Sequence, residues 1–305
     1  MEVLVVILVV GSTGMVGSEI CRRLAERVES VRALVRTTTD PARVAALREI
    51  GAQPVIGDLR DVASLERACE GVDAVVSTVS AMPFSYLPGV NDIATTDLEG
   101  TRALIAAAGK AGVRRFVYMS FSKNLDTPCP LHDAKRSVEA HLRESGLEYT
   151  ILRPSCFMEV WLSPAVGFDP ENAKATIYGD GTRPLSWIAA SDVAEFAVVA
   201  LLAPEAAGRT LELGGPEAIT PLDAVRVFER VGGRAFEVQH VPVESLQQQL
   251  AAATDPMQQS FAGLMCAYAN GDRIEMSSTL AEFPVAMTSV LQYAERLLGK
   301  VPVAH

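Results

Sequence analysis

Positive charge is in short supply in this chain of 305 residues: 27 Lys and Arg stand against 37 Asp and Glu, a formal net charge of −10. No basic block offsets that balance, which argues against a nucleic-acid-binding surface. Five cysteines (Cys21, Cys69, Cys129, Cys156, Cys266) are scattered, odd in number and without a C-x-x-C pair. That pattern excludes a disulfide framework and a zinc site, no metal is expected, and reduced thiols in the cytoplasm are predicted. Long apolar runs are missing as well. The run from Val3 to Val10 is too short to span a bilayer and lacks a basic leader, so it reads as a buried first strand. Charged residues make up only 21% against 49% apolar, a balance that excludes a disordered chain and supplies a sizeable core. The length admits one large domain or two modest ones.

What is present begins at that strand. Gly11-Ser12-Thr13-Gly14-Met15-Val16-Gly17 follows it and opens a helical pattern from Met15 to Val28. The order strand, glycine-rich turn, helix is that of a dinucleotide-binding turn. Gly11 allows the sharp turn, Gly14 lets backbone approach a pyrophosphate, and Gly17 lets the helix pack closely on the sheet. The helix N-terminus then offers unpaired N–H groups to the phosphates.

The first half repeats this unit. Strands are expected at 31–36, 53–56, 73–79, 114–120 and 147–152. The helices between them are expected at 41–50, 61–70, 92–111 and 131–145, the first capped by Asp40 with Pro41 at its opening position. Such alternation predicts a Rossmann-type doubly wound parallel sheet, α/β in class, with ligands at the carboxyl ends of the strands. After about residue 155 the rhythm breaks. Short strands (176–178, 185–188, 210–213, 237–241) mix with helices near 192–203, 221–231, 243–253, 256–269 and 287–298. Thr220-Pro221-Leu222-Asp223 has the composition of a capped helix start. Residues 1–155 are therefore assigned to a dinucleotide-binding domain. Residues 156–305 form a smaller C-terminal substrate-side α/β lobe on it, in one compact unit, with some of its strands joining the same sheet.

The second strand ends at Arg36, where NAD-preferring folds carry an acid for the ribose 2′-hydroxyl. A guanidinium there suits a 2′-phosphate, so NADP(H) is expected in preference to NAD(H). Ser77, Thr78, Val79 and Ser80 end the fourth strand as a small-residue wall beside the cofactor.

These features, with Gly57-Asp58-Leu59, Val113 to Ser120, Lys135-(x)3-Glu139-(x)2-Leu142, Tyr149 to Pro154, Gly179-Asp180-Gly181, Ser191-Asp192-Val193-Ala194 and Leu213-Gly214-Gly215-Pro216, resemble the NmrA-like branch of the atypical short-chain dehydrogenase/reductase superfamily. The resemblance covers nearly the whole chain. It implies adenine-side contacts from Asp58 and Leu59, a turn-forming role being the alternative for Asp58. It also places Pro154, Ser155 and Phe157 in a loop beside the nicotinamide. The wider superfamily uses Tyr-x-x-x-Lys on one helix face, the tyrosine handling the proton and the lysine tuning it. Here the lysine is Lys135 and the tyrosine position is Leu131.

Two arrangements follow. Lys135 can supply a proton or stabilise an oxyanion with help from Ser120; alternatively Lys135 holds the ribose and His132, a residue type that titrates near neutrality, is the donor. His132 lies one residue off the face shared by Leu131 and Lys135, which favours Lys135. Met82, Phe84 and Tyr86, in the apolar loop after the fourth strand, are assigned with Met158 and Trp161 to the substrate wall. Tyr86 could replace the missing tyrosine. The expected function is an NADPH-dependent reductase acting on an apolar quinone, enone, imine or ketone. A non-catalytic NADP(H)-sensing regulator is the alternative. The expected partner is a small molecule, with neither nucleic acid nor membrane, and the chain is a monomer or homodimer.

Overall fold

A computed structural model describes residues 5–27, 30–82 and 85–299; Val3, Leu4, Val28, Pro83 and Phe84, each part of an expected element or site, lie outside them. The chain divides into two units. Unit one comprises 1–120, 130–152 and 194–211; unit two comprises 121–129, 153–193 and 212–305. The single boundary expected at 155 thus becomes a series of crossings.

Along the chain, unit one opens with β1 (Val6–Val10), α1 (Met15–Glu26), β2 (Ser30–Val35), α2 (Pro41–Glu49), β3 (Gln53–Ile56), α3 (Val62–Cys69) and β4 (Ala74–Ser77). A π-helical turn (Ile93–Gly100) runs directly into α4 (Thr101–Lys110), followed by β5 (Arg115–Met119), α5 (Pro130–Glu144) and β6 (Glu148–Pro154). Unit two then supplies α6 (Met158–Trp161), β7 (Phe168–Asp169) and β8 (Lys174–Tyr178). α7 (Ala190–Leu202) and β9 (Arg209–Leu213) come next, and α8 (Pro221–Gly232), β10 (Glu237–Val241), α9 (Val243–Ala252), α10 (Pro256–Asn270), α11 (Ser277–Glu282) and α12 (Val290–Leu297) complete the fold.

The main sheet has the order β3-β2-β1-β4-β5-β6-β9. β1 pairs in parallel with both β2 and β4, so the chain reverses its direction of travel across the sheet at the β1–β4 seam. A doubly wound sheet binds its ligands beyond the strand ends at such a reversal. Ile7, Leu8 and Val9 are fully buried, as a central parallel strand covered on both faces requires. Each such side chain contributes about 1.5–3 kcal/mol of burial free energy. The core of this unit gathers Leu8, Leu65, Leu104, Phe116 and Val138 from strands and helices alike.

Helix starts follow local chemistry. Asp40 accepts from Ala42 N–H at 2.9 Å ahead of Pro41, and Thr220 and Asp223 form a reciprocal capping box on α8. In unit two, β8 pairs in parallel with β10 and antiparallel with β7 around a core containing Trp187, Phe168 and Phe228. The strand at 209–213 joins the main sheet as expected.

Three expectations need correction. Residues 185–188 form no strand; single bridges tie Leu185 to Ile219 and Asp272, and Ile188 to Phe157. Three partners from three places, each offering one residue pair, cannot build a ladder. The helix expected over 92–111 is π-helical in its first eight residues, a wide turn that apolar spacing does not distinguish from an α-helix. The last helix starts at Val290 and not at 287, because Ser289 caps it by accepting from Gln292 N–H at 3.1 Å. β7 and α11 were not anticipated; both are too short to carry a period.

Candidate functional site in unit one

The turn between β1 and α1 is built around backbone contact. Gly11 has φ +85°, and a Cβ there would lie 2.6 Å from Thr78 Oγ1. At Gly17 a Cβ would lie 2.1 Å from the Gly11 carbonyl oxygen, an impossible approach for any larger residue. A Cβ on Gly14 would meet only Gly11 O, at 3.2 Å, and otherwise stands in open space. Gly14 is the N-cap of α1 and has no side chain to accept from the first-turn N–H groups as Asp40 does on α2. Gly14 and Met15 are exposed and Thr13 is partly so, while Ser12 is buried and donates to Leu34 O at 2.8 Å. Val16 is buried on the inner face of α1. An uncapped helix start with bare backbone in front of it fits a diphosphate.

Arg36 is exposed at the end of β2, its N–H bonded to Thr39 Oγ1 at 2.9 Å. Arg43, which sequence reasoning passed over, reaches from α2 to the Thr13 carbonyl at 3.5 Å and adds a second cation beside the turn. Asp58 is partly exposed after β3. Its carboxylate accepts from Arg60 Nε at 3.0 Å and Nη2 at 2.8 Å, and hydrogen bonds from Arg60 hold its pKa below the ordinary carboxylate range. Leu59 packs against the core, and Ile56 at the end of β3 leaves 60% of its surface exposed. An apolar side chain so bare, in register with Val35 just before Arg36, is suited to a flat aromatic ring.

At the end of β4 and beyond it stand Ser77, Thr78, Val79 and Ser80, which the sequence reading assigns to the cofactor side. Ser77 is fully buried and its Oγ has no hydrogen bond among the described residues, Thr78 Oγ1 lies 3.3 Å from Val10 O, and Ser80 Oγ accepts from Met82 N–H at 3.4 Å. Val79 matters through its backbone: its carbonyl accepts from Lys135 Nζ at 3.0 Å. Lys135 is 4% exposed, and its Nζ also lies 3.1 Å from Asp97 Oδ1 and 5.4 Å from the centre of the Tyr118 ring. Asp97 is buried in the π-helical turn and accepts from Ala81 N–H at 2.9 Å.

Ser120, after β5, is 6% exposed and donates its hydroxyl proton to Glu139 Oε1 at 2.6 Å. Arg136 and Arg143 hold that buried carboxylate at 2.8 and 3.3 Å. The Ser120 proton is thus directed to Glu139, while its oxygen accepts from Arg136 Nη1 at 3.4 Å. His132 Nδ1 lies 2.9 Å from Asp133 Oδ1. Leu131 is buried at 5% exposure, so no phenol stands four residues before Lys135. Tyr118 does not take its place: burial first, then the charges of Asp97 and Glu139, push its phenol far above the ordinary range.

The sequence pattern of the NmrA-like family matches residues 5–293. The chain belongs to this family. Among its relatives is the photosystem II assembly factor Ycf39 of Synechocystis, 31% identical over 79% of this chain and 72% of that protein. The NAD(P)H azoreductase of Xenophilus azovorans is 32% identical over 82% of each chain. Among solved structures, an NADPH-dependent quinone oxidoreductase of Escherichia coli superposes with a TM-score of 0.75 at 23% identity, over 95% of this chain and 99% of that one, a likeness of fold.

Other residues assigned from the sequence lie within unit two. Pro154 ends β6 and Ser155 follows it, both buried, with Ser155 N–H donating to Leu213 O at 2.8 Å. Phe157 is partly buried and precedes α6. Met158 is fully buried in the core, and Trp161 stacks on Tyr268 with ring centres 4.8 Å apart. In unit one, Met82 and Tyr86 are both partly buried in the loop after β4.

Besides Arg43, sequence reasoning assigned no role to Asp97 or Glu139. Glu139 carried a signal: with Lys135 it is a charged residue in the stripe Leu131, Ala134, Val138, Leu142 that α5 buries. Asp97 carried one too: in an α-helical reading of 92–111 it falls on the face shared by Ile93, Leu104 and Ala108. Among the described residues no helix is long and apolar enough to cross a membrane.

Proposed function

We propose that this protein is an NADPH-dependent reductase that delivers hydride to an electrophilic carbon of an apolar quinone, enone, imine or ketone. The reading is carried by one observation: the uncapped glycine turn after β1 and the buried Lys135 ammonium, held on the Val79 carbonyl just beyond β4, flank the same β1–β4 seam. Kinship with an NAD(P)H azoreductase supports the cofactor and the class of reaction.

In this reading the turn from Gly11 to Gly17 holds the diphosphate through backbone N–H groups, and Arg36 pairs with the 2′-phosphate, assisted by Arg43. Ile56 and Leu59 cover the adenine. The nicotinamide, when bound, supplies the hydride. Lys135 offers an ammonium hydrogen to the ribose or to an oxygen on which negative charge develops, and Ser77 to Ser80 line the approach. Lys135, held on the Val79 carbonyl and beside Asp97, is the candidate we favour over His132. The five cysteines, all buried, suit a reducing compartment, and we assign the protein to the cytoplasm.

A second reading draws on Leu131 and on the relative named as an assembly factor: an NADP(H)-sensing protein without turnover. Incubating the purified protein with NADPH and a panel of quinones, enones, imines and ketones, while following loss of reduced-cofactor absorbance, separates the two. Turnover that falls on Lys135→Ala supports the reductase. Tight NADPH binding with no turnover across the panel sinks it in favour of the sensor.

A further inference from the structure

Asp97 has no assigned role, yet the wide turn that carries it is closely fixed. Asp92 and Thr95 cap that turn reciprocally, and Thr101 Oγ1 donates back to Thr96 O at 2.9 Å. A Cβ on Gly100 would lie 2.6 Å from Thr95 O and 2.7 Å from Leu59 Cβ, so the turn is seated against Leu59 with no room to spare. π-Turns inside helices are costly and concentrate at functional sites. This one carries a fully buried carboxylate. Asp97 Oδ2 accepts from Ala81 N–H at 2.9 Å, whereas Oδ1 has no hydrogen bond among the described residues and faces only Lys135 Nζ, at 3.1 Å.

An ammonium has three hydrogens. On Lys135 one goes to Val79 O at 3.0 Å, and the charge is drawn toward Asp97 on a second side. The Tyr118 ring centre, at 5.4 Å, backs a third direction. The geometry points to Asp97 as the positioning residue of this site: it ties the π-turn, the segment after β4 and Lys135 together, so that Lys135 presents its remaining hydrogen in one fixed direction. This deepens the reading of Lys135 as a cofactor-site cation and rests on it. Asp97 acts through Lys135.

Asp97→Asn keeps the volume but not the chemistry. One amide oxygen can accept from Ala81 or face Lys135, and the NH2 group then opposes the other donor. Loosening the ammonium by about an ångström is expected to lower kcat ten- to hundredfold with the substrate KM little changed. The same substitution in a Lys135→Met background is expected to change NADPH affinity less than twofold and to raise the melting temperature, since it removes a buried carboxylate left without its countercharge. Equal effects on NADPH affinity and kcat in both backgrounds would make Asp97 merely structural and overturn the proposal, as would an Asp97→Asn enzyme with wild-type kinetics. If Asp97→Asn alone does not fold, Lys135→Met and Lys135→Met/Asp97→Asn are compared. Unequal NADPH affinity between these two refutes the inference. Failure of the wild-type protein to bind NADPH is a separate result and removes the cofactor reading itself.

Discussion

Gly14 and Gly17 stand three residues apart in one turn, yet substitution by alanine should separate binding from folding. At Gly17 the new methyl would sit 2.1 Å from the Gly11 carbonyl oxygen and 2.7 Å from its carbon, backbone atoms at a strand end that cannot rotate away. Forcing α1 off the sheet puts this at the upper end of overpacking costs, about 3 kcal/mol. That corresponds to a fall in melting temperature of about 5–10 °C. Gly14 has φ −81° and ψ 171°, open to any residue, and its methyl would meet only one atom at 3.2 Å. Gly14→Ala should therefore leave stability within about 1 kcal/mol of wild type. If phosphate oxygens approach this backbone, the same methyl displaces them and weakens one or more charge-assisted hydrogen bonds, worth about 1.5–3 kcal/mol. NADPH should then bind about ten- to hundredfold more weakly. Thermal unfolding of the apoprotein and calorimetric titration with NADPH read the two effects independently. Wild-type NADPH affinity in a folded Gly14→Ala variant would refute the placement of the diphosphate. An unchanged melting temperature for Gly17→Ala would refute the packing argument.

Arg36→Ala should raise the Kd for NADPH about tenfold or more, the worth of a charge-assisted pair, and leave NADH nearly untouched; parallel titrations check it, and equal losses for both coenzymes would rule out a 2′-phosphate contact. Asp92 accepts from Thr95 and Gly89 N–H, and hydrogen bonds led by Thr95 hold its pKa below the ordinary range. A carboxyl depressed in the folded state contributes stability above its unfolded pKa of about 3.9 and loses it as pH falls through the folded value. Asp92→Ala should cost about 1 kcal/mol at neutral pH, and the gap from wild type should narrow in acid; a gap that does not depend on pH contradicts the assignment. All five thiols are buried, with Cys21 pushed up to about 12 and Cys69 to about 11 by desolvation. A disulfide-exchange reagent should label the native protein slowly and release the full count only in denaturant, whereas rapid native labelling of several thiols would show that the core is open.

Much of unit one was legible because its signals are local. The run of β-branched residues through Val10, the glycines after it and the cap at Asp40 act through neighbours in sequence, and the α/β alternation follows from them. Unit two was less legible. Residues 185–188 have strand composition, but their pairing depends on Phe157, Ile219 and Asp272, which no period announces. The excursion of 121–129 into unit two, and the return of 194–211 to unit one, likewise rest on packing between distant segments.

The amino-acid order by itself determined a parallel sheet opened by a bare glycine turn, a cation at the end of β2, and a lysine without the tyrosine that usually accompanies it. Tertiary structure alone decided what surrounds that lysine. Asp97 comes from a π-helical turn 38 residues earlier in the chain, Val79 from the end of β4, and both converge on Nζ within 3.1 Å. A buried charge needs its countercharge close by in space, and the sheet can bring that group from any part of the chain.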